Sequence, residues 1–168
     1  LNIFIVLLFK SRHNMPTIEH AAGVAIGHRF MKQLAAGFAK NNHAETVGDM
    51  LASNIGWDWS DDSKGEGKDA LLDMFSKSWG AMVDNFLYPN PSVFVDTTHA
   101  KIIITSPSNT INITGGFADE TNLVTVPLCF ILTVEDDKVT KWEGYWDQAD
   151  GPMTAALGKV MAKMKQAA

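Results

Sequence analysis

Val134-Glu135-Asp136-Asp137-Lys138-Val139-Thr140-Lys141-Trp142-Glu143-Gly144-Tyr145-Trp146-Asp147 reads as a strand, an acidic turn and a second strand that closes on aromatic rings and a carboxylate. Asp and Asn tolerate the backbone of tight turns, so Asp136-Asp137-Lys138 is the hinge of a hairpin. Upstream, residues 126–132 are apolar on both faces, which predicts a central strand covered on both sides. Pro127 inside that stretch lacks a backbone donor and predicts a bulge or an edge. Earlier strands are expected over residues 93–105, bent near 97–99, and over residues 110–118, with Ser106-Pro107-Ser108-Asn109 as a turn between them. Gly115-Gly116 is expected as a bulge.

The N-terminal half has a different period. Thr17 can cap a helix to about Lys40, with Val24, Met31, Leu34, Ala35 and Phe38 on one stripe. Gly23 and Gly27, four apart, permit a close neighbour on that helix. A short helix follows over residues 42–51. Ile55, Trp57 and Trp59 then alternate with Gly56, Asp58 and Ser60, the period of a strand with one aromatic face. The spacing of Leu71, Leu72, Phe75, Trp79, Met82 and Phe86 predicts a helix over residues 68–85, stopped by Pro89 and Pro91. A closing helix is expected over residues 151–166. Helices followed by a run of strands predict an α+β fold, with helices on one face of an antiparallel sheet.

With 168 residues, 46% apolar and 20% charged, the chain has the size and composition of one folded domain. A formal charge of −5 without a basic cluster argues against a nucleic-acid surface. The lone Cys129 excludes an internal disulfide and is expected as an inert buried thiol. Residues 3–9 form an apolar run too short to span a bilayer and lacking the flanks of a signal peptide. Residues 1–14 are therefore expected to be a non-core extension to a domain over residues 15–168, in a cytoplasmic protein without a membrane span.

The order of elements, with particular residues, resembles the NTF2-like superfamily and its SnoaL-like branch. The residues that carry the resemblance are Gly67-Lys68-Asp69-Ala70 before the third helix, the turn from Glu135 to Val139, the Tyr145-Trp146-Asp147 ending, and Ala155-Ala156-Leu157-Gly158. Asp137 stands where the family's turn usually has Gly. The likeness spans residues 17–158. It implies a cone, with a curved sheet wrapped over N-terminal helices around an apolar cavity, and a homodimer packed through the sheet. The family contains isomerases, dehydratases, hydrolases, polyketide cyclases, carotenoid-binding domains and non-enzymatic adaptors, so fold alone leaves function open. SnoaL-type cyclases usually carry Gly-Thr-His in a middle strand; Thr114-Gly115-Gly116-Phe117 has no His there.

Asp147 is the leading catalytic candidate, because a carboxylate among Trp142, Tyr145 and Trp146 can be desolvated into a usable base. The family resemblance gives the Asp at this point the acid/base role. His99 could pair with it if the fold brought the two together, and the Tyr145 hydroxyl could bind a ligand oxygen. Trp57, Trp59, Phe75, Trp79, Tyr88 and Trp146 are expected to line a lipophilic pocket, with Asn112 adding a polar contact. Asp58, opposite Trp57 and Trp59 on the same strand, is a rival base if it points inward. His20, His28 and His43 lack metal-ligand spacing, and neither metal nor cofactor is expected. Three functions remain in play: metal-free acid/base chemistry of isomerase, dehydratase or cyclase type on a small lipophile, non-catalytic lipophile binding, and assembly through the sheet face.

Overall fold

The computed structural model describes residues 16–147 and 151–167. The expected extension over residues 1–14 lies outside them. Helix α1 (His20–Lys40) is capped by the Glu19 side chain and closed by Asn41 in the left-handed conformation. The cap is thus Glu19, two residues after the expected Thr17. Ile26 and Phe30 join Met31, Leu34 and Phe38 on its buried face. A Cβ on Gly23 would stand 2.7 Å from Val95, and one on Gly27 2.7 Å from Val93, so these glycines let α1 lie close on the sheet.

The short helix α2 (His43–Thr46) and a 3-10 turn (Gly48–Met50) lead into β1 (Leu51–Trp59). Next come β2 (Lys64–Glu66), α3 (Lys68–Lys77), α4 (Trp79–Met82), β3 (Val83–Leu87) and β4 (Ser92–Asp96). The chain then runs through β5 (Lys101–Ile113), β6 (Leu123–Glu135), β7 (Lys138–Trp146) and α5 (Gly151–Ala167). The sheet order is β2-β1-β7-β6-β5-β3, and β4 pairs with the first half of β5. The sheet is mixed: β1 runs parallel to β7, where an antiparallel sheet was expected. These two strands are far apart in sequence, and the long connection a parallel pair needs is supplied by everything between them. The sheet is curved and unclosed, and α1 packs across β3, β4 and β5 on its concave side.

Several sequence expectations are corrected. The helix expected over residues 68–85 ends at Lys77, and Val83–Leu87 is a strand beside β5. The bend near residues 97–99 is a full turn between β4 and β5. Residues 106–109 are not a turn: β5 runs through them with a shift of register. That shift faces Pro127, so the expected bulge exists but lies in the partner strand. The strand β6 is buried on one face only, leaving Cys129 half-buried on the convex side, where burial still pushes its thiol pKa up.

The core is an aromatic cluster centred on Trp142. Its ring meets Phe30 edge-on at 4.9 Å, Phe130 at 5.2 Å and Trp59 at 5.0 Å, and stacks on Phe75 at 5.4 Å. Phe30 and Trp142 are almost wholly buried. Side chains of this kind contribute roughly 1.5–3 kcal/mol each on burial. The aromatic face of β1 expected at Trp57 and Trp59 points into this core, and Asp58 points out to solvent.

Candidate functional site: an apolar cavity in the cone

Nearly every core element contributes to one cavity of about 80 Å³. Leu34 and Phe38 come from α1, Trp59 from β1, Phe75 from α3 and Trp79 from α4. Val83 and Phe86 of β3, Ile111 of β5, and Val126, Leu128 and Phe130 of β6 form the sheet side. Trp142 and Trp146 of β7 and Met153 of α5 complete it. The wall is apolar throughout and contains no titratable side chain. Trp79 and Trp146 are the half-buried members, and their rings meet at right angles with centroids 5.9 Å apart, so they mark the mouth.

Of the residues singled out for binding, Trp59, Phe75, Trp79 and Trp146 stand on this wall. Trp57 does not; its ring packs against Gly65 of β2, where a Cβ would sit 2.4 Å away. Tyr88 stacks on the outer side of Phe86, with centroids 6.0 Å apart. Asn112 alternates with the inward Ile111 and Ile113, and its side-chain oxygen accepts from the Asn122 N–H at 2.9 Å. It ties down a loop on the sheet's other side.

The three catalytic candidates are not brought together. His99 lies in the exposed turn after β4, its Nδ1 2.7 Å from the Asp96 carboxylate, which that bond holds below the usual carboxylate range. Lys101, Thr133 and Lys141 share one cross-strand row, and Ser106, Leu128 and Trp146 share another five residues along β5. At about 3.3 Å per residue the rows are roughly 16 Å apart, so His99 and Asp147 form no acid/base pair. Tyr145 alternates with the inward Gly144 and Trp146 and is 48% exposed on the convex face. Glu143, on the same face, is held by Lys141 at 3.0 Å. Asp147 follows β7 directly, exposed beside the cavity mouth. Among the described residues no group of three or more His, Cys, Asp or Glu could hold a metal, and no helix is long and apolar enough to cross a membrane.

Sequence reasoning passed over two buried polar residues of β5, Ser106 and Asn109, because Ser-Pro-Ser-Asn has the composition of an exposed turn. It also left His43 unplaced. That ring is buried, stacks on Phe75 and meets Phe38 edge-on, one layer behind the wall.

No family model and no curated protein sequence matches the chain. Solved structures do. An NTF2-like protein from Anabaena variabilis superposes with a TM-score of 0.60 at 13% identity, over 80% of this chain and 96% of that one. An LEH-like epoxide hydrolase from M. tuberculosis gives 0.61 at 16% identity, over 88% and 96%. A protein assigned as a SnoaL-like polyketide cyclase, from Jannaschia sp. CCS1, gives 0.61 at 14% identity, over 77% and 88%. The chain has the NTF2-like α+β cone fold of these structures.

Proposed function

We propose that this NTF2-like cone is a binding module for a small, neutral, lipophilic molecule of about one ring. The observation that carries the reading is the wall itself: fourteen side chains converge on the cavity and none of them can ionise. Acid/base catalysis needs a proton-transferring group within hydrogen-bond reach of the reacting atom. An apolar wall supplies instead the hydrophobic contact that holds a neutral ligand. The volume is far below the roughly 300–1,000 Å³ of pockets for drug-sized ligands. It is also about half of the ~150 Å³ void that admits benzene in an engineered core. A pigment or long isoprenoid therefore does not fit, and entry of a ring displaces Trp79 or Trp146 at the mouth.

Calorimetric titration with toluene and with phenol tests this. At least one binds and raises the melting temperature, and Val126→Phe, which fills the cavity, abolishes binding. Failure of both probes to bind overturns the reading.

A second reading, metal-free acid/base chemistry of isomerase, dehydratase or cyclase type, is favoured by one feature: Asp147 directly follows Trp146, a wall residue at the mouth. On that reading a bound lipophile turns over and Asp147→Asn slows turnover at least a hundredfold while binding persists. Binding without turnover leaves the module reading alone. We also propose a homodimer through the convex sheet face, which carries the exposed Phe94 and Tyr145.

A further inference from the structure

We propose that α5 is a lid on the cavity, clamped shut by ion pairs from its Lys159 and Lys163 to the loop after β5, and that ligand enters and leaves when this clamp opens. The inference rests on the lipophile-binding reading and adds how that site is gated. Met153, in the first turn of α5, is part of the cavity wall. Trp146, one of the two rings at the mouth, closes β7, the element before α5 in the chain. Both side chains border the same space of about 80 Å³, so α5 begins at the mouth. Lifting the helix takes Met153 out of the wall and gives the Trp146 ring room to turn aside.

The seat of α5 is shallow. Of its 17 residues, Met153, Ala156 and Val160 are the buried ones, on a single stripe. The wall strands, by contrast, are hydrogen-bonded into the sheet, and α3 and α4 are held between β2 and β3. Val160 fits over Gly115, which has a φ of +62° and where a Cβ would collide with it. The N–H groups of Thr114 and Gly115 both donate to the Met82 carbonyl, at 2.8 and 3.0 Å. One loop therefore holds α5 on one side and, on the other, the end of α4, whose Trp79 is the second ring at the mouth.

The clamp itself is electrostatic. Lys163 Nζ donates to both Asp119 carboxylate oxygens at 2.9 Å and to Glu120 at 3.0 Å, and lies 4.7 Å from the centre of the Phe117 ring. Lys159 Nζ is 2.9 Å from the other Glu120 oxygen and 3.3 Å from Asn122 Oδ1. Asn122 is tied in turn to the end of β5: its N–H donates to Asn112 Oδ1 and its Nδ2 to the Ile113 carbonyl, both at 2.9 Å. Two lysines one helical turn apart thus meet an acidic pair anchored to the sheet. Exposed ion pairs are individually weak and are screened by salt. A shallow apolar seat with such a clamp opens before the rest of the fold does.

Stopped-flow mixing with whichever of toluene and phenol binds in calorimetry, followed by tryptophan emission, tests the lid. Glu120→Gln and, separately, Lys163→Met are expected to raise the association and dissociation rates together, roughly three- to tenfold, with Kd little changed. Raising NaCl from about 0.05 to about 0.5 M does the same to the wild-type protein. Lys77→Met, which breaks the Lys77–Asp73 pair within α3, leaves the rates as they are. Amide hydrogen exchange quickens in α5 of the two clamp variants and not in β5 or β6. Rates unmoved by both clamp substitutions overturn the lid and leave entry past the Trp79 and Trp146 rings alone, while the lipophile reading stands. A rise in dissociation without one in association makes α5 a fixed wall, and exchange that quickens across the whole sheet makes the ion pairs part of the global fold; either overturns the lid. Binding of neither probe overturns the lipophile reading and the lid with it.

Discussion

His43 shows at the scale of one side chain what burial does to a titratable group. The ring is 3% exposed, and neither nitrogen has a partner. It stacks on Phe75 at 4.8 Å and fits only because residue 37 is Gly, where a Cβ would lie 2.5 Å from its Cδ2. Desolvation disfavours the imidazolium and pushes the pKa down to about 4 from 6.5. Between those values the unfolded chain binds a proton that the folded chain does not. Stability is therefore complete above pH 6.5 and is lost as pH falls toward 4, by roughly 3 kcal/mol. The denaturant midpoint is expected to drop over that window, and His43→Leu, which removes the unpaired nitrogens, flattens the drop. A midpoint independent of pH between 7 and 4 in the wild-type protein would refute the assignment. The carboxylates act in a separate window: hydrogen bonds from Lys159 and Lys163 hold Glu120 down at about 2, so its contribution is lost only as pH falls from 4.5 toward that value. Nothing in the sequence marks His43, because its burial depends on a glycine six positions away and a phenylalanine on another helix.

At the scale of elements, two of the misread segments contain a bulge. Apolar residues three apart look helical, but a bulge produces the same spacing in a strand. In β3 the register shifts between Val83 and Asn85, so Val83 and Phe86 both face the core. Their spacing continues the helical series Leu71, Phe75, Trp79 and Met82 without a break, and so conceals the change from α4 to β3. In β5 the shift between Ser106 and Asn109 puts these residues on one face, three apart, while Pro107 and Ser108 bulge outward. Turn-like composition there conceals a strand and two buried polar side chains. Other features were legible: α1 ends at Lys40 as its stripe predicts, and the β6–β7 hairpin turns at Asp136 and Asp137, both with positive φ, although its register shifts between Thr133 and Val134. The register shift in β1 precedes Gly56, so the alternation of Trp57 and Trp59 survives and spacing puts both on the buried face; that Trp59 and Phe75 would line a pocket came from the cone resemblance. Outward residues such as Tyr145 and Asn112 were misjudged because alternation fixes which residues share a face but not which face is concave.

For the whole molecule, the concave side of the sheet is occupied by α1 and the aromatic core, and the convex side is where a second copy has room to pack. Phe94, Ile103 and Ile131 form one cross-strand row on that side, and Thr105, Cys129 and Tyr145 form the next but one along the strands. Phe94 is 57% exposed, and Ile103 and Ile131 are half-buried. An apolar row of this kind on a sheet whose other face is filled is costly to leave in water. Two copies related by a two-fold axis can cover it with the same patch on each. Phe94→Glu places a charge in the middle of that contact and leaves the concave core untouched. Sedimentation is expected to give a dimer for the wild-type protein. For Phe94→Glu it is expected to give a monomer, with dimer dissociation raised at least tenfold and the melting temperature of the isolated subunit little changed. A wild-type monomer at high micromolar concentration would show that the convex face is tolerated in water. A dimer indifferent to Phe94→Glu would place the interface elsewhere.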